Sequence, residues 1–243
     1  MLRTLRKREM VFLIIYGKNV IKEAVFAKRK FFHLYMDEKL NDFRFMQFLD
    51  DKKITYELTD KNELNKLSKN QLHQGVVADV EDYRTYDLKD ILDKDQKQYF
   101  MILDGIEDPH NLGAIMRTAE AVQIDGIIMS KKGAVPLTAT VAKVSSGAIE
   151  HVKVILVSNI NQAMQELKKH GVWVIGTDGQ TDKTYDDLPK GVSLAIVMGN
   201  EGEGMRPLVK QNCDMLVKIP MYGKINSLNV SVAAALMMYK MKS

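Results

Sequence analysis

Six short apolar runs follow one another between Tyr99 and Pro220: "YFMILDG", "DGIIMS", "VKVILV", "VWVIGT", "LAIVMG" and "MLVKIP". Each is bounded by turn residues, and helical patterns lie between most of them. Runs that are apolar throughout, rather than alternating, belong to strands buried on both faces. A mainly parallel sheet with helices packed on both sides is the architecture that buries them, so this part of the chain is α/β.

The first part of the chain carries a different pattern. "MVFLIIYG", "FFHLYM", "KITYEL" and "GVVADV" read as strands, and "KNVIKEAVFA" as a helix with Val20, Ile21, Ala24 and Val25 on one face. Helical segments are expected near 41–50 and 60–69, the second opened by Asp60 with Glu63 three residues on. The result is a small α/β unit. The polar stretch "EDYRTYDLKDILDKDQKQ" then separates it from the larger sheet. The expected organisation is a first domain over 1–85, a linker over 86–97 and a second domain over 98–243.

At 46% hydrophobic and 27% charged, the chain of 243 residues can bury a sizeable core. A lone cysteine, Cys213, excludes an internal disulfide and a cysteine zinc cage, and fits a reducing cytoplasm. Charge is uneven: residues 1–30 hold nine Lys/Arg against two acids, so the local +7 leaves −3 for the rest of a +4 chain. Such a segment can grip phosphate or simply be solvated. It also mimics a signal peptide, but the apolar run is short and "GKNV" follows in place of a small-residue cleavage site. No apolar stretch is long enough to span a bilayer. The sequon "NVS" at Asn229 opens an apolar segment of a cytoplasmic-looking chain and is set aside.

In open α/β sheets, ligands bind beyond the carboxyl ends of strands. After "MILDG" comes "IEDPHNLGAIMRTAEA", where Pro109 and Asn111 are helix-start signals with Asn111 as the expected N-cap. Leu112, Ile115, Met116, Ala119 and Val122 form its apolar stripe, and Arg117 projects from the opposite face. After "LAIVMG" comes "NEGEGMRPL", whose Gly199, Gly202 and Gly204 permit close backbone approach. This is neither G-x-G-x-x-G nor a Walker loop, which argues against a phosphate cradle and a nicotinamide dehydrogenase. "DGQTDKTYDDL" misplaces the glycine and terminal acid of a calcium loop, and the five histidines form no metal constellation. Finally "IPMYGKINSLNVSVAAALMM" sets Asn226, Ser227, Asn229 and Ser231 at the mouth of an almost wholly apolar helix.

Taken in order, these stretches resemble the three signature motifs of the SPOUT (SpoU/TrmH-type) RNA ribose 2′-O-methyltransferases. "NLGAIMRTAEA" matches the first with Asn111 and Arg117, and "VMGNEGEGM" the second with Gly199, Glu201 and Gly202. "IPMYGKINSLNVSVAAAL" matches the third with Ile219, Pro220, Met221, Ser227, Leu228 and Asn229. "KVSSGAIEHV" is similar to the segment between the first two. "YGKNVIKEAV" and "HQGVVADVEDY" resemble the N-terminal substrate-binding domain of the rRNA-modifying branch that includes RlmB.

The resemblance implies a C-terminal trefoil knot, a homodimer, S-adenosylmethionine as methyl donor with no metal, and an RNA substrate, a guanosine of large-subunit rRNA. It assigns cofactor contacts to Gly199, Ile219, Met221 and Leu228, with Gly176 and Thr177 nearby, and turns Ser227 and Asn229 toward the reaction. Arg117 would bind substrate phosphate and stabilise the developing alkoxide, and Asn111 would orient the ribose or Arg117. Glu201 would bind Arg117, Asn229 or backbone, in a structural role as much as a catalytic one. The helix from Val230 would be buried by the knot and the dimer interface. In the N-terminal domain, Lys7, Arg8, Lys28, Arg29 and Lys30 are candidates for RNA phosphate contacts. Phe31, Phe32 and Tyr35 could stack on bases or pack in the core. Alternatives are a tRNA or antibiotic-resistance rRNA methyltransferase and, from another class, a non-catalytic RNA-binding or ribosome-assembly protein.

Overall fold

The computed structural model describes residues 13–243; Lys7, Arg8 and most of the basic leader lie outside the described residues. The described chain divides after Tyr83 into two compact units.

The first unit is a four-stranded sheet with three helices. Its elements are β1 (Leu13–Tyr16), α1 (Lys18–Phe26), β2 (Phe31–Asp37), α2 (Phe43–Asp51), β3 (Glu57–Thr59), α3 (Lys61–Leu67) and β4 (Val76–Val80). The strand order is β1-β4-β2-β3, with β4 antiparallel to both neighbours and β3 parallel to β2. The face foreseen for α1 is the buried one: Val20, Ile21, Ala24 and Val25. Asp60 caps α3, accepting from the backbone N–H groups of Asn62 and Glu63 at 2.7 and 3.0 Å. The strand expected over "KITYEL" is shorter, since pairing with β2 begins only at Tyr35↔Glu57.

The second unit is a seven-stranded sheet with order β11-β9-β10-β6-β7-β8-β5, every pairing parallel. It opens with β5 (Thr85–Tyr86) and α4 (Leu88–Ile91), followed by β6 (Tyr99–Asp104), α5 (Pro109–Ala121), β7 (Gly126–Ser130) and α6 (Ala139–Val144). Then come β8 (Val154–Val157), α7 (Ile160–Lys169), β9 (Trp173–Thr177), β10 (Leu194–Gly199), α8 (Pro207–Gln211), β11 (Met215–Val217) and α9 (Val230–Lys242). All six apolar runs are strands. The stretch 86–97 is no linker. Tyr86 pairs with Ile155, Leu88 is buried, and the buried Gln98 side chain accepts from Asp93 N and donates to Ile91 O, both at 2.8 Å. A two-residue strand and a one-turn helix are too short to show a period, so this stretch reads as merely polar.

The chain winds from β6 outward through β7 and β8, then returns to the other side of β6 with β9 and β10. The direction reverses at the β6/β10 pair, where the strands' carboxyl ends diverge into separate loops and leave a crevice. The sheet core is fully enclosed, with Phe100, Ile102, Ile128, Ile155, Val174, Ala195 and Val197 buried. Burying a Val, Leu, Ile, Phe or Met side chain contributes roughly 1.5–3 kcal/mol each, which holds the crevice on a rigid base.

Candidate active site

Three segments distant in sequence meet at the β6/β10 switch point. The first is the start of α5. Its N-cap is Asp108, which accepts from His110 N at 2.9 Å, not the expected Asn111. Pro109 decides this: proline belongs at the first helical position, so the cap is the residue before it. Asn111 therefore lies within the first turn with its side chain turned inward, 8% exposed. Val122, expected on the buried stripe, is the half-buried C-cap.

The second segment is the loop after β10. Gly199 cannot be replaced without moving backbone, because a Cβ there would stand 2.2 Å from the carbonyl carbon of Gly204 and 2.3 Å from Met205 N. The chain folds back on itself at this point. Asn200 and Gly204 exchange backbone hydrogen bonds at 3.0 and 2.9 Å, with Gly204 at φ 71°. The Asn200 side chain donates to Gly105 O and accepts from Gly202 N, each at 2.9 Å, and so fixes this loop to the one after β6. A second tie is charged. The fully buried Asp104 carboxylate accepts from Arg206 Nε at 2.7 Å and Arg206 N at 2.9 Å. Asp104 and Arg206 are not among the residues that the sequence singles out. An acid ending an apolar strand, which must find a partner once buried, was the available signal.

The third segment is the entry to α9, capped by Asn229. Its side-chain carbonyl accepts from Ser231 N at 2.9 Å. Its amide donates to Glu201 Oε1 at 2.7 Å and to Asn111 Oδ1 at 2.9 Å. The Asn111 amide donates to the same Glu201 oxygen at 3.0 Å, and Val230 N at 3.3 Å. One carboxylate oxygen thus collects three donors. That also fixes both amide orientations, since only the NH2 end can donate to a carboxylate. The Glu201 charge lies at the amino end of α9, where the helix dipole favours it. Its partners are Asn111, Asn229 and backbone; Arg117 is not one of them.

Arg117 is exposed on the opposite face of α5, and among the described residues its guanidinium has no carboxylate partner. From Met221 to Asn229 the chain is exposed, including Ser227. Between Ile219 and Leu228 its backbone makes no hydrogen bond to a described residue. Ile219 is half-buried, while Met221 and Leu228 are each 38% exposed.

Gly176 and Thr177 end β9. A Cβ on Gly176 would meet Leu216, Cys213 and Met205 within 2.8 Å, and Thr177 Oγ1 donates to Val197 O at 2.9 Å. Burial pushes the Cys213 thiol up to about 12, so it stays protonated and unreactive. Among the described residues no group of His, Cys, Asp and Glu could hold a metal ion, and no helix is long and apolar enough to cross a membrane.

In the first unit, Lys28 and Lys30 are exposed and Arg29 is half-buried. The Arg29 guanidinium lies 3.7 Å from the Tyr83 ring and donates to Glu81 O at 2.9 Å. Phe31, Phe32 and Tyr35 are all half-buried, with Lys30 over the Phe32 ring and His33 stacked on Tyr35.

Comparison with known proteins bears on both units. Residues 14–86 match the family described as RNA 2′-O ribose methyltransferase substrate binding. Over 233 residues the chain is 43% identical to YacO of Bacillus subtilis (strain 168), assigned to the TrmH family of tRNA/rRNA methyltransferases, covering 93% of each. Among solved structures, the SpoU methyltransferase AviRb from Streptomyces viridochromogenes in complex with AdoMet superposes with TM-score 0.81. It is 23% identical, over 95% of this chain and 89% of that one. An AdoMet-bound rRNA methyltransferase from Sinorhizobium meliloti gives 0.76 at 22% identity, over 95% and 86%. A TrmH/SpoU tRNA modifying enzyme of A. aeolicus gives 0.54 at 28%, over 64% of this chain and 79% of that one. Residues 98–239, which contain the whole Asn111–Glu201–Asn229 cluster, match the SpoU rRNA Methylase family, and the chain belongs to that family.

Proposed function

We propose that the chain transfers a methyl group from S-adenosylmethionine to the 2′-hydroxyl of a ribose in large-subunit rRNA, at a guanosine. The observation that carries the reading is the Glu201 carboxylate. It draws the start of α5, the loop after β10 and the entry to α9 into one crevice at the switch point. Support for rRNA comes from architecture: the AdoMet-bound rRNA methyltransferase spans both units, whereas the tRNA enzyme spans 64% of the chain.

The residues present fit the cofactor. An adenosyl group needs apolar walls and open backbone donors and acceptors rather than a phosphate cradle. The 219–228 loop offers unbonded backbone together with Ile219, Met221 and Leu228. The cofactor supplies an electrophilic methyl on a sulfonium. Gly199, whose lack of a side chain lets the loop close on itself, keeps that loop in register. Gly176 and Thr177 act more remotely, packing the end of β9 that supports it.

A neutral ribose hydroxyl is a poor nucleophile and must be positioned and relieved of its proton. Arginine is effectively always protonated, so Arg117 is no base. It binds the phosphate next to the target ribose and stabilises the forming alkoxide, while a phosphate oxygen or another group accepts the proton. Asn111, held by Glu201 and Asn229, is a positioning residue, and Ser227 lies on the exposed loop that faces substrate. A homodimer, with α9 in its interface and the C-terminal segment knotted, belongs to the same reading. Val232, Leu236 and Tyr239 form an exposed apolar stripe on α9, 41–61% accessible.

The test is incubation with methyl-labelled S-adenosylmethionine and either large-subunit rRNA or bulk tRNA, both free of native modification. Label in rRNA as alkali-resistant 2′-O-methylguanosine is the expected result. Label in tRNA alone would keep the chemistry and reverse the substrate assignment. Transfer to neither RNA, with cofactor still bound, would point to a binding protein without catalysis.

A further inference from the structure

The sheet of the first unit is splayed open at one edge. β2 pairs with β4 from Phe31 onward, with a bulge at Phe32, but its pairing with β3 begins only at Tyr35. The two chains therefore diverge over Phe31–Leu34 on one side and residues 53–56 on the other. A cleft of about 430 Å³ lies between them. That is within the range of roughly 300–1,000 Å³ typical of ligand sites. Its lining includes Arg29, Phe31, Phe32, Lys53, Tyr56 and Glu57.

Lys53 reaches the cleft from the end of a helix. α1 and α2 both end with a residue in the left-handed region, the place where glycine is the low-cost choice. Here those residues are Lys28 and Lys53, each at φ 56°. The closing bonds are the same: Arg29 N to Ala24 O at 3.0 Å after α1, Ile54 N to Leu49 O at 2.9 Å after α2. A lysine held there accepts backbone strain. It complements the helix dipole and, at Lys53, sets an exposed ammonium at the cleft. The rings at the cleft differ in availability. Phe32 lies under Lys30, whereas among the described residues no ring or cation is stacked on the half-buried Tyr56. Glu57 adds an acceptor, shared with His33 at 3.4 Å.

An aromatic ring, an exposed ammonium, an unpaired strand edge and a carboxylate acceptor lining one cleft are the elements that recognise an unstacked nucleobase and its phosphate. We infer that this cleft is a single-strand RNA subsite: Tyr56 stacks on one unpaired base, Lys53 holds its phosphate, and Glu57 accepts from an exocyclic amino group. The inference rests on the RNA methyltransferase reading above and assigns part of substrate selection to the first unit.

The test uses the full chain, a short single-stranded RNA oligonucleotide and a duplex of equal length. Lys53→Gly and Lys53→Asn, both tolerant of the left-handed conformation, should leave the thermal midpoint unchanged or raised. Each should weaken single-strand binding and reduce the slope of log K against log salt by about 0.7, the value of one phosphate contact. Tyr56→Leu keeps apolar bulk but removes the flat ring. It should cost roughly five- to a hundredfold in single-strand affinity, the range of one base–aromatic stack, and leave duplex binding unchanged. If all three variants bind the single strand as the parent does while methyl transfer to rRNA persists, the cleft is not an RNA subsite and the enzymatic reading stands. If the parent neither binds RNA nor transfers methyl, both readings fall together.

Discussion

Asn229 donates its side-chain amide to Glu201 at 2.7 Å while its side-chain carbonyl caps α9 through Ser231 N at 2.9 Å. One residue thus joins the loop after β10 to the last helix, and the two halves of its amide do separate work. Asn229→Ser should keep the cap but lose the bridge. Asn229→Asp should keep the cap and set a second carboxylate against Glu201. Asn229→Ala loses both, at about 1–3 kcal/mol from the cap and the unpaired acceptor. Urea denaturation should rank Ser as mildest, and cofactor affinity should fall for all three.

Gly199→Ala would place a methyl 2.2 Å from the Gly204 carbonyl carbon. No rotamer relieves a backbone clash, so the 200–204 loop must open. The expected result is a loss of more than about 3 kcal/mol, or of cofactor binding with the rest of the fold intact. Calorimetric titration with S-adenosylmethionine beside a thermal melt distinguishes the two, and an unchanged affinity and midpoint would refute the close approach.

The pair between the buried Asp104 carboxylate and the exposed Arg206 side chain should behave asymmetrically. Arg206→Met removes the charged partner of a buried carboxylate, leaving it the backbone N–H of residue 206, and should cost about 1–3 kcal/mol, whereas Asp104→Asn with Arg206→Met together should cost less than the sum of the two single changes. A double-mutant cycle by denaturant unfolding measures this. Additive losses would show that Asp104 does not depend on Arg206.

Arg117 is exposed and unpaired among described residues, so Arg117→Ala should barely change stability or cofactor affinity. Turnover should fall by at least about 100-fold, since charge stabilisation of the alkoxide is lost. Arg117→Lys should recover part of it. Single-turnover methyl transfer at saturating cofactor is the measurement, and a wild-type rate in Arg117→Ala removes the residue from the mechanism.

His73 gives the first unit a pH dependence. The ring is buried; Nδ1 accepts from Gly75 N at 3.0 Å, so Nε2 carries the hydrogen that Asn65 Oδ1 accepts at 3.1 Å. Burial lowers its pKa below the ordinary histidine value, outweighing the nearby Asp37 charge. The unfolded chain therefore binds the proton more readily. Stability from this group is complete above about pH 6.5 and declines as pH falls through the lowered folded value. Urea midpoints measured between neutral and acid pH should fall in the parent and fall less in His73→Gln.

Six of the seven strands of the large sheet, the buried face of α1 and the cap at Asp60 were legible in the sequence, because each depends on residues a few positions apart. The Asn111–Glu201–Asn229 cluster could be suspected by resemblance, but its bonding could not be read. Its members lie 90 and 118 positions apart from Asn111, and nothing local distinguishes an asparagine that caps a helix from one buried against a carboxylate. Asn111 shows the difference: by sequence a cap, in the fold a buried donor one turn inside. The insertion of β10 between β9 and β6, the closure on Gly199 and the pairing of Asp104 with Arg206 were decided by tertiary structure alone. Periodicity reports which face of an element is buried. Which distant groups then share that interior is fixed only when burial forces each polar atom to find a partner.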